Sequence, residues 1–364
     1  MKQLLKEIAH NPLLWMLVFV PILFVFQRLE PESHTLLFIL SVCAIIPLAA
    51  LLSLATESVA VRTGDAVGGL LNATLGNLTE LVIAIAALNS GQYMLVKASV
   101  AGTIVANTLF VLGMSFLLGG VKHHLQEYNR VNARFQAGLL FLATVALLIP
   151  SAIGEADSEV GSAFTQKLSV ALAVLLLITY GLGMLFSLKT HRELFAGAEQ
   201  SETGEVPLPI GVALGTLALV TVLVALVSEV FVESVQEAAL TFGMTPAFVG
   251  FVVVALVGGA AEMGSAFSGA RKNRLDLSVG IALGSASQIA LFVGPVLVLL
   301  SYVLGPQPMD LQFWPGAVVM MLIATMAAAL ITSSGRSTWF VGVFVLMVYL
   351  VFAMTLYLLP PRAH

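Results

Sequence analysis

The chain has 364 residues, with 16 Lys and Arg against 20 Asp and Glu, a net charge of −4, a hydrophobic fraction of 59% and only 10% charged residues. Soluble domains carry about 25% charged residues, so this composition excludes an ordinary water-exposed fold and reads as an all-α polytopic membrane protein in a lipid bilayer. A nucleic-acid binder is excluded as well, because the few basic residues fall in short loops and do not gather on one surface.

Apolar runs long enough to cross about 30 Å of hydrocarbon predict about eleven transmembrane helices. The first covers 13–28 and is expected to be retained, since it lacks the small-residue cleavage site of a signal peptide. The next five lie near 36–57, 68–88, 94–119, 136–150 and 166–188, the fifth of them short and ended by Pro150. The last five lie near 209–232, 246–269, 275–304, 313–333 and 337–359. The runs 94–119 and 275–304 are longer than a perpendicular helix needs, which predicts tilt or a break. Cys43 is the single cysteine, so no intramolecular disulfide can form.

Four segments follow: an N-terminal helix in 1–33, five helices in 34–188, an acidic linker at 189–208 and five more helices in 209–364. The linker carries Glu193, Glu199, Glu202 and Glu205. It reads first as a solvated cytoplasmic connector, with a weak calcium-sensing or gating role as the alternative. With the N-terminus cytoplasmic, Lys2, Lys6, Arg62, Lys122, Arg130, Arg134, Lys189, Arg192, Arg271, Lys272, Arg274 and Arg336 are inside, and Arg28, Lys97, Lys167 and Arg362 are outside. Twelve against four is the bias expected of cytoplasmic loops, and it places the C-terminus outside. Five crossings per unit mean that the second unit enters the membrane from the opposite side, so the two are inverted repeats.

The sequence supports the same division. Gly76-Asn77-Leu78-Thr79-Glu80-Leu81 places a carboxylate inside an apolar run, and 182 residues on, half the chain, Gly258-Gly259-Ala260-Ala261-Glu262-Met263 does so again. In the same register Gly102-Thr103 falls on Gly284-Ser285, and Leu109-Phe110-Val111 on Leu291-Phe292-Val293. An ionised side chain at the bilayer centre costs roughly 2.5–3.5 kcal/mol on insertion scales, so a pair at equivalent positions reads as a functional site. The small-residue faces Gly211 to Gly215 and Gly280 to Gly284 are expected to pack helices together.

Two facing glutamates suit a hard divalent cation such as Ca²⁺, which needs six to eight oxygen ligands and so must draw on carbonyls and hydroxyls as well. Gly76 and Gly258, one turn before the acids, allow the helix to open and expose carbonyls. Thr103, Asn107, Ser285 and Gln288 offer polar atoms on the following helices, and Asn77 lies beside the first glycine. Two carboxylates close together in a low dielectric repel, so without a cation one or both take up H⁺; cation and protons then compete for the same oxygens. Glu57, Glu229 and Glu233, near the ends of the second and seventh helices, are candidates for an access vestibule or for ordinary interfacial charge. Neither a resident cofactor nor an oligomeric state is implied.

The two glutamate motifs, with Lys272-Asn273 and the run Gly284-Ser285-Ala286-Ser287-Gln288-Ile289-Ala290-Leu291-Phe292-Val293, resemble the cation/proton exchanger family of the calcium/cation antiporter superfamily. The resemblance implies eleven helices, inverted five-helix repeats, and Glu80 and Glu262 as sites shared by cation and protons. It also implies that Thr103, Ser285 and Gln288 line that site and that Gly76 and Gly258 donate carbonyls. The chain departs from the family pattern at Gly259, Met263 and Ala106, where Asn, His and Ser are usual.

The expected function is secondary-active exchange of Ca²⁺ for H⁺ by alternating access, in a prokaryotic inner membrane, with an organelle membrane as the alternative. The functional alternative is a sodium- or other monovalent-coupled exchanger. A channel is disfavoured by the lack of a filter motif. An intramembrane enzyme is disfavoured because all six histidines lie in termini or loops, leaving no midplane partner for a nucleophile or metal.

Overall fold

The computed structural model describes residues 4, 7–9, 11–63, 65–153, 159–195 and 207–358. With no water in the hydrocarbon to satisfy backbone groups, apolar runs of this length can only be helical. The helices are α1 (Pro12–Leu29), α2 (His34–Thr63), α3 (Asp65–Leu75), α4 (Leu78–Asn89), α5 (Tyr93–His123), α6 (Arg130–Ile153) and α7 (Glu159–Leu185). They continue as α8 (Ile210–Thr241), α9 (Pro246–Gly258), α10 (Ala260–Arg271), α11 (Leu275–Leu300), α12 (Pro315–Ile331) and α13 (Trp339–Leu358).

Among the described residues nine helices are long and apolar enough to cross a membrane, or ten if the bent pair α9 and α10 is one span. A count of eleven requires the third predicted helix to cross as two pieces, α3 and α4, which are separated at Gly76-Asn77.

The runs at 94–119 and 275–304 do not break. Each is one helix widened by a π-helical turn, at Ala106–Val111 and Ile289–Val293, positions that correspond under the 182-residue shift. The breaks lie in the third and eighth predicted helices instead. The fifth predicted helix is also longer than expected: α6 runs from Arg130 through Pro150 to Ile153. Proline removes one hydrogen bond, but in lipid the remaining backbone groups have no water to turn to and stay helical. Ser151 Oγ donates to Leu147 O at 3.0 Å on the same turn.

The long helices α2 and α8 pack along each other, with Phe38 stacked on Phe231 at 5.4 Å. Around them a continuous core collects Leu48, Leu52, Ile83, Ile104, Leu109 and Phe251. Helices α6 and α12 meet through Thr144 Oγ1 and Thr325 Oγ1, 3.0 Å apart and both buried.

At one end, the segment between α11 and α12 is folded back over the helix ends. Gln307 N donates to Tyr93 Oη at 2.7 Å, Leu311 N to Ser169 Oγ at 2.9 Å and Phe313 N to Ser151 Oγ at 2.9 Å, while Lys97 pairs with Asp310. At the other end, Gln126-Glu127 and Arg336-Ser337 form a two-residue antiparallel ladder, and Asn129 N donates to Asp276.

Of the linker expected at 189–208, Glu193 lies in a 3-10 turn, Arg192–Leu194. Glu199, Glu202 and Glu205 lie outside the described residues.

Candidate functional site

The first helix break takes in Gly76 and Asn77, and the second falls at Gly259, one residue after Gly258. Asn77 separates α3 from α4 with φ −100° and ψ 28°, and Gly259 separates α9 from α10 with φ −81° and ψ 9°. The second break bends the chain by 60°. A helix end leaves its last carbonyls and first N–H groups without intrahelical partners, so each break offers carbonyl oxygens on one side and N–H groups on the other. Glu80 and Glu262 each stand in the first turn after a break, where the N–H groups and helix dipole favour negative charge.

The two breaks face one another. A Cβ built on Gly258 would lie 3.1 Å from Glu80 Cγ and 3.6 Å from its Oε1, and one built on Gly259 would lie 3.8 Å from that oxygen. The Glu80 carboxyl therefore rests on the bare backbone of the opposite break. It is also near enough to Glu262 for the two charges to interact. Glu80 Oε1 and Glu262 Oε2 are both buried without a hydrogen-bond partner among the described residues. Buried polar atoms in proteins are almost always satisfied, and exceptions call for an ion, a proton or water. No cluster of three or more His, Cys, Asp and Glu is present among the described residues. Any divalent ion held here would depend on two carboxylates plus neutral oxygens.

The other predicted residues separate into groups. Gln288, Asn77, Ser285 and Asn107 form one chain of hydrogen bonds: Asn77 Nδ2 donates to Gln288 Oε1 at 2.6 Å, Ser285 Oγ to Asn77 Oδ1 at 2.8 Å and Asn107 Nδ2 to Ser285 Oγ at 2.8 Å. It ties the α3–α4 break to α5 and α11. Thr103 is buried on α5. A Cβ on Gly76 would lie 3.9 Å from Gln288 Oε1 but would meet neither glutamate.

Glu262, Gly76, Ser285 and Gln288 line a 320 Å³ cavity, which also receives Glu57. A second cavity of 540 Å³ shares Ser53, Glu57, Ser265 and Leu277 with it and extends to Lys272 and Arg274. Glu57 thus stands on the way to Glu262. Glu229 and Glu233 are exposed on α8 and line neither cavity.

The glycines of the expected packing faces behave differently from expectation. A Cβ on Gly211, Gly215 or Gly284 would meet nothing within 4 Å, and one on Gly280 only Asn132 Nδ2 at 3.9 Å. Gly211 and Gly215 lie on the outer surface of α8, whereas Gly280 and Gly284 face the cavity instead of a neighbouring helix.

Residues missed from the sequence include Asn72 and Asn132, which line the cavity, and Gln136, whose Oε1 accepts from Ser287 Oγ at 2.8 Å. Asn132 and Gln136 are one turn apart on α6, but the predicted helix began only at 136. A further signal was the tripeptide Glu-Ser-Val, found at 57–59 and again at 233–235. The second copy stands 176 residues on, six short of the 182-residue register, and the serines of both are buried.

A helical bundle in the membrane, with two acids meeting at broken helices beside a cavity, defines a secondary transporter and not an enzyme. The chain belongs to the Sodium/calcium exchanger protein family, which matches residues 33–189 and 212–358. It is 39% identical over 359 residues to the Ca²⁺/H⁺ antiporter of Aphanothece halophytica, covering 95% of this chain and 96% of that protein. The solved structure of native YfkE superposes with a TM-score of 0.81 at 36% identity, over 94% of this chain and 98% of that one. A crystal structure of the H⁺/Ca²⁺ exchanger CAX shares the fold, with a TM-score of 0.72 at 16% identity over 95% and 91%.

Proposed function

We propose that the chain exchanges Ca²⁺ for H⁺ across a bacterial inner membrane, with Glu80 and Glu262 carrying the cation and the protons in turn. The observation that carries this reading is the pair of buried carboxylate oxygens without partners at two facing helix breaks. A cation or a proton satisfies these oxygens and an empty, ionised site does not, so the unloaded carrier is reluctant to reorient. That reluctance is what couples one ion's movement to the other's. The names of the relatives, Ca²⁺/H⁺ antiporters at up to 39% identity, support the choice of ions.

In this reading Gly76, Gly258 and Thr103 supply neutral oxygens around the glutamates. Asn77, Asn107, Ser285 and Gln288 line the site, held in place by the bonds they make to one another, and offer their remaining oxygen lone pairs to the cation. Glu57 recruits ions in the vestibule; Glu233 does so on the opposite face, with Glu229 one turn before it. Residues 34–188 and 209–364 act as inverted repeats, and eleven crossings place the N-terminus inside and the C-terminus outside. The 189–208 segment joins them in the cytoplasm. The cavity containing Glu262 then opens to the cytoplasm, while the buried Glu80 is sealed from both sides.

The test is Ca²⁺ uptake into everted vesicles or proteoliposomes under an imposed pH gradient with sodium absent. Uptake that collapses with the gradient is expected. Uptake that ignores the proton gradient and follows a sodium gradient would replace H⁺ by Na⁺ as the coupling ion, and unsaturable flux indifferent to both would mean a channel.

A further inference from the structure

The two breaks are alike, but the surfaces beside them are in different states. On α9, Gly250 comes so close to α5 that a Cβ there would lie 2.5 Å from Ala98 Cβ and 3.0 Å from Leu95 O. On α5, a Cβ at Gly102 would run into the backbone of Phe251. The half of the molecule on that side is therefore shut by backbone-to-backbone contact. Under the 182-residue shift, Gly250 and Phe251 correspond to Gly68 and Gly69 on α3, and Ala98 and Gly102 to Gly280 and Gly284 on α11. Here the same surfaces stand apart. A Cβ on Gly284 would meet nothing within 4 Å, and Gly280 and Gly284 both look into the 320 Å³ cavity. The α3 glycines rest elsewhere, Gly68 on the carbonyl of Ala60 in α2 and Gly69 against the Leu188 side chain.

Glycine inside a helix is destabilising relative to alanine and is kept where a backbone must approach closely. At Gly102 and Gly250 that approach is visible. At Gly284 it is not, although the residue is the same at the corresponding place. We infer that Gly280 and Gly284 are the landing positions on which Gly68 and Gly69 of α3 seat when the protein closes the cavity that holds Glu262. They are positioning residues: they permit the close approach that seals this side while the Gly102 and Gly250 contacts part on the other. The inference rests on the alternating-access reading above and adds the surface on which the alternation ends.

Gly284→Leu tests it, because a Cβ there now meets nothing within 4 Å and points into the cavity, whereas the closed conformation leaves no room for a side chain. The probe is a membrane-impermeant maleimide in a Cys43→Ala background, with single cysteines at Ser99 and Ile281. These positions correspond under the shift; Ser99 is buried on the shut side and Ile281 lines the open cavity. In the parent, Ser99→Cys is expected to label from the shut side as the protein cycles, and Ile281→Cys from the cavity side. Adding Gly284→Leu is expected to abolish labelling at Ser99→Cys, leave it at Ile281→Cys, and stop Ca²⁺ exchange. Gly280→Leu should act alike and serves if the first variant fails to insert.

Equal labelling of Ser99→Cys with and without the leucine, no labelling of it in the parent, or exchange at the parent rate in Gly284→Leu would each overturn the inference. Labelling needs no ion flux. An absence of proton-coupled Ca²⁺ movement in the parent would therefore sink the functional reading while leaving the closure to be decided by the cysteines.

Discussion

Glu80 and Glu262 share a local design, the first turn after a break, and differ in access. Glu80 is 8% exposed and lies against Gly258, whereas Glu262 looks into the cavity. Glutamine at either position keeps the shape but removes a ligand charge and a proton carrier. Glu80→Gln and Glu262→Gln are expected to insert and unfold thermally like the parent while losing exchange, read as Ca²⁺ uptake in proteoliposomes; near-parental uptake by either would remove that residue from the mechanism. Gly258→Ala acts through packing. Its Cβ would press on Glu80 Cγ at 3.1 Å, and overpacking of about 1–3 kcal/mol displaces the carboxyl from the opposite break. A rise of about tenfold in half-saturating Ca²⁺ is expected, where about 1.4 kcal/mol corresponds to tenfold. An unchanged concentration dependence would show that Glu80 can bind from another rotamer.

At the scale of helices, the structure depends on polar pins inside lipid. Asn77 is held at both ends of its amide, to Gln288 and Ser285, so Asn77→Ala leaves two buried partners short of a bond at a cost of about 1–3 kcal/mol. Its melting temperature is expected to fall below the parent's; an unchanged melting temperature would show that the two partners find other bonds. The Thr144 to Thr325 contact gives a cleaner comparison. Thr144 Oγ1 also donates to Leu140 O at 2.9 Å, so valine at 144 orphans the Thr325 hydroxyl and valine at 325 leaves Thr144 bonded, while valine at both replaces a polar pair by an apolar one of the same shape and should be nearly neutral. A double mutant less stable than either single one would show that the threonines do more than satisfy each other.

The sequence showed that the third and eighth segments are special, because Gly76 and Gly258 precede buried acids. It did not show that the second break falls at Gly259 and not at Gly258 itself, since a glycine marks permission to open and tertiary contacts choose the residue. The amide chain was legible only as polar atoms on one wall. Which of them bond to one another depends on side-chain directions set by two different helices. Pro150 misled for a related reason: the rule that proline ends a helix assumes water to take up the freed carbonyl.

Taken as a whole, the molecule is open toward Glu262 on one side and shut by glycine contacts on the other. If protons and Ca²⁺ share the same oxygens, half-saturating Ca²⁺ on the cavity side should rise as the pH there falls and drop as it rises. A concentration dependence indifferent to pH would separate the two ions' sites. The proposed inverted division of the chain is argued from the 182-residue echo, which rests on rare residues, acids and glycines in apolar surroundings. The difference between the halves was not readable there, since one sequence must serve both conformations.

The folded-back segment between α11 and α12 covers the shut side, pinned by Tyr93, Ser151, Ser169 and the Lys97 to Asp310 pair. In the proposed orientation that side faces the acidic compartment. An idle carrier with a loose cover there would let protons slip inward unaccompanied and spend the membrane's proton-motive force. The stitching therefore bears on energy conservation at rest, when cytoplasmic calcium is low and the protein waits.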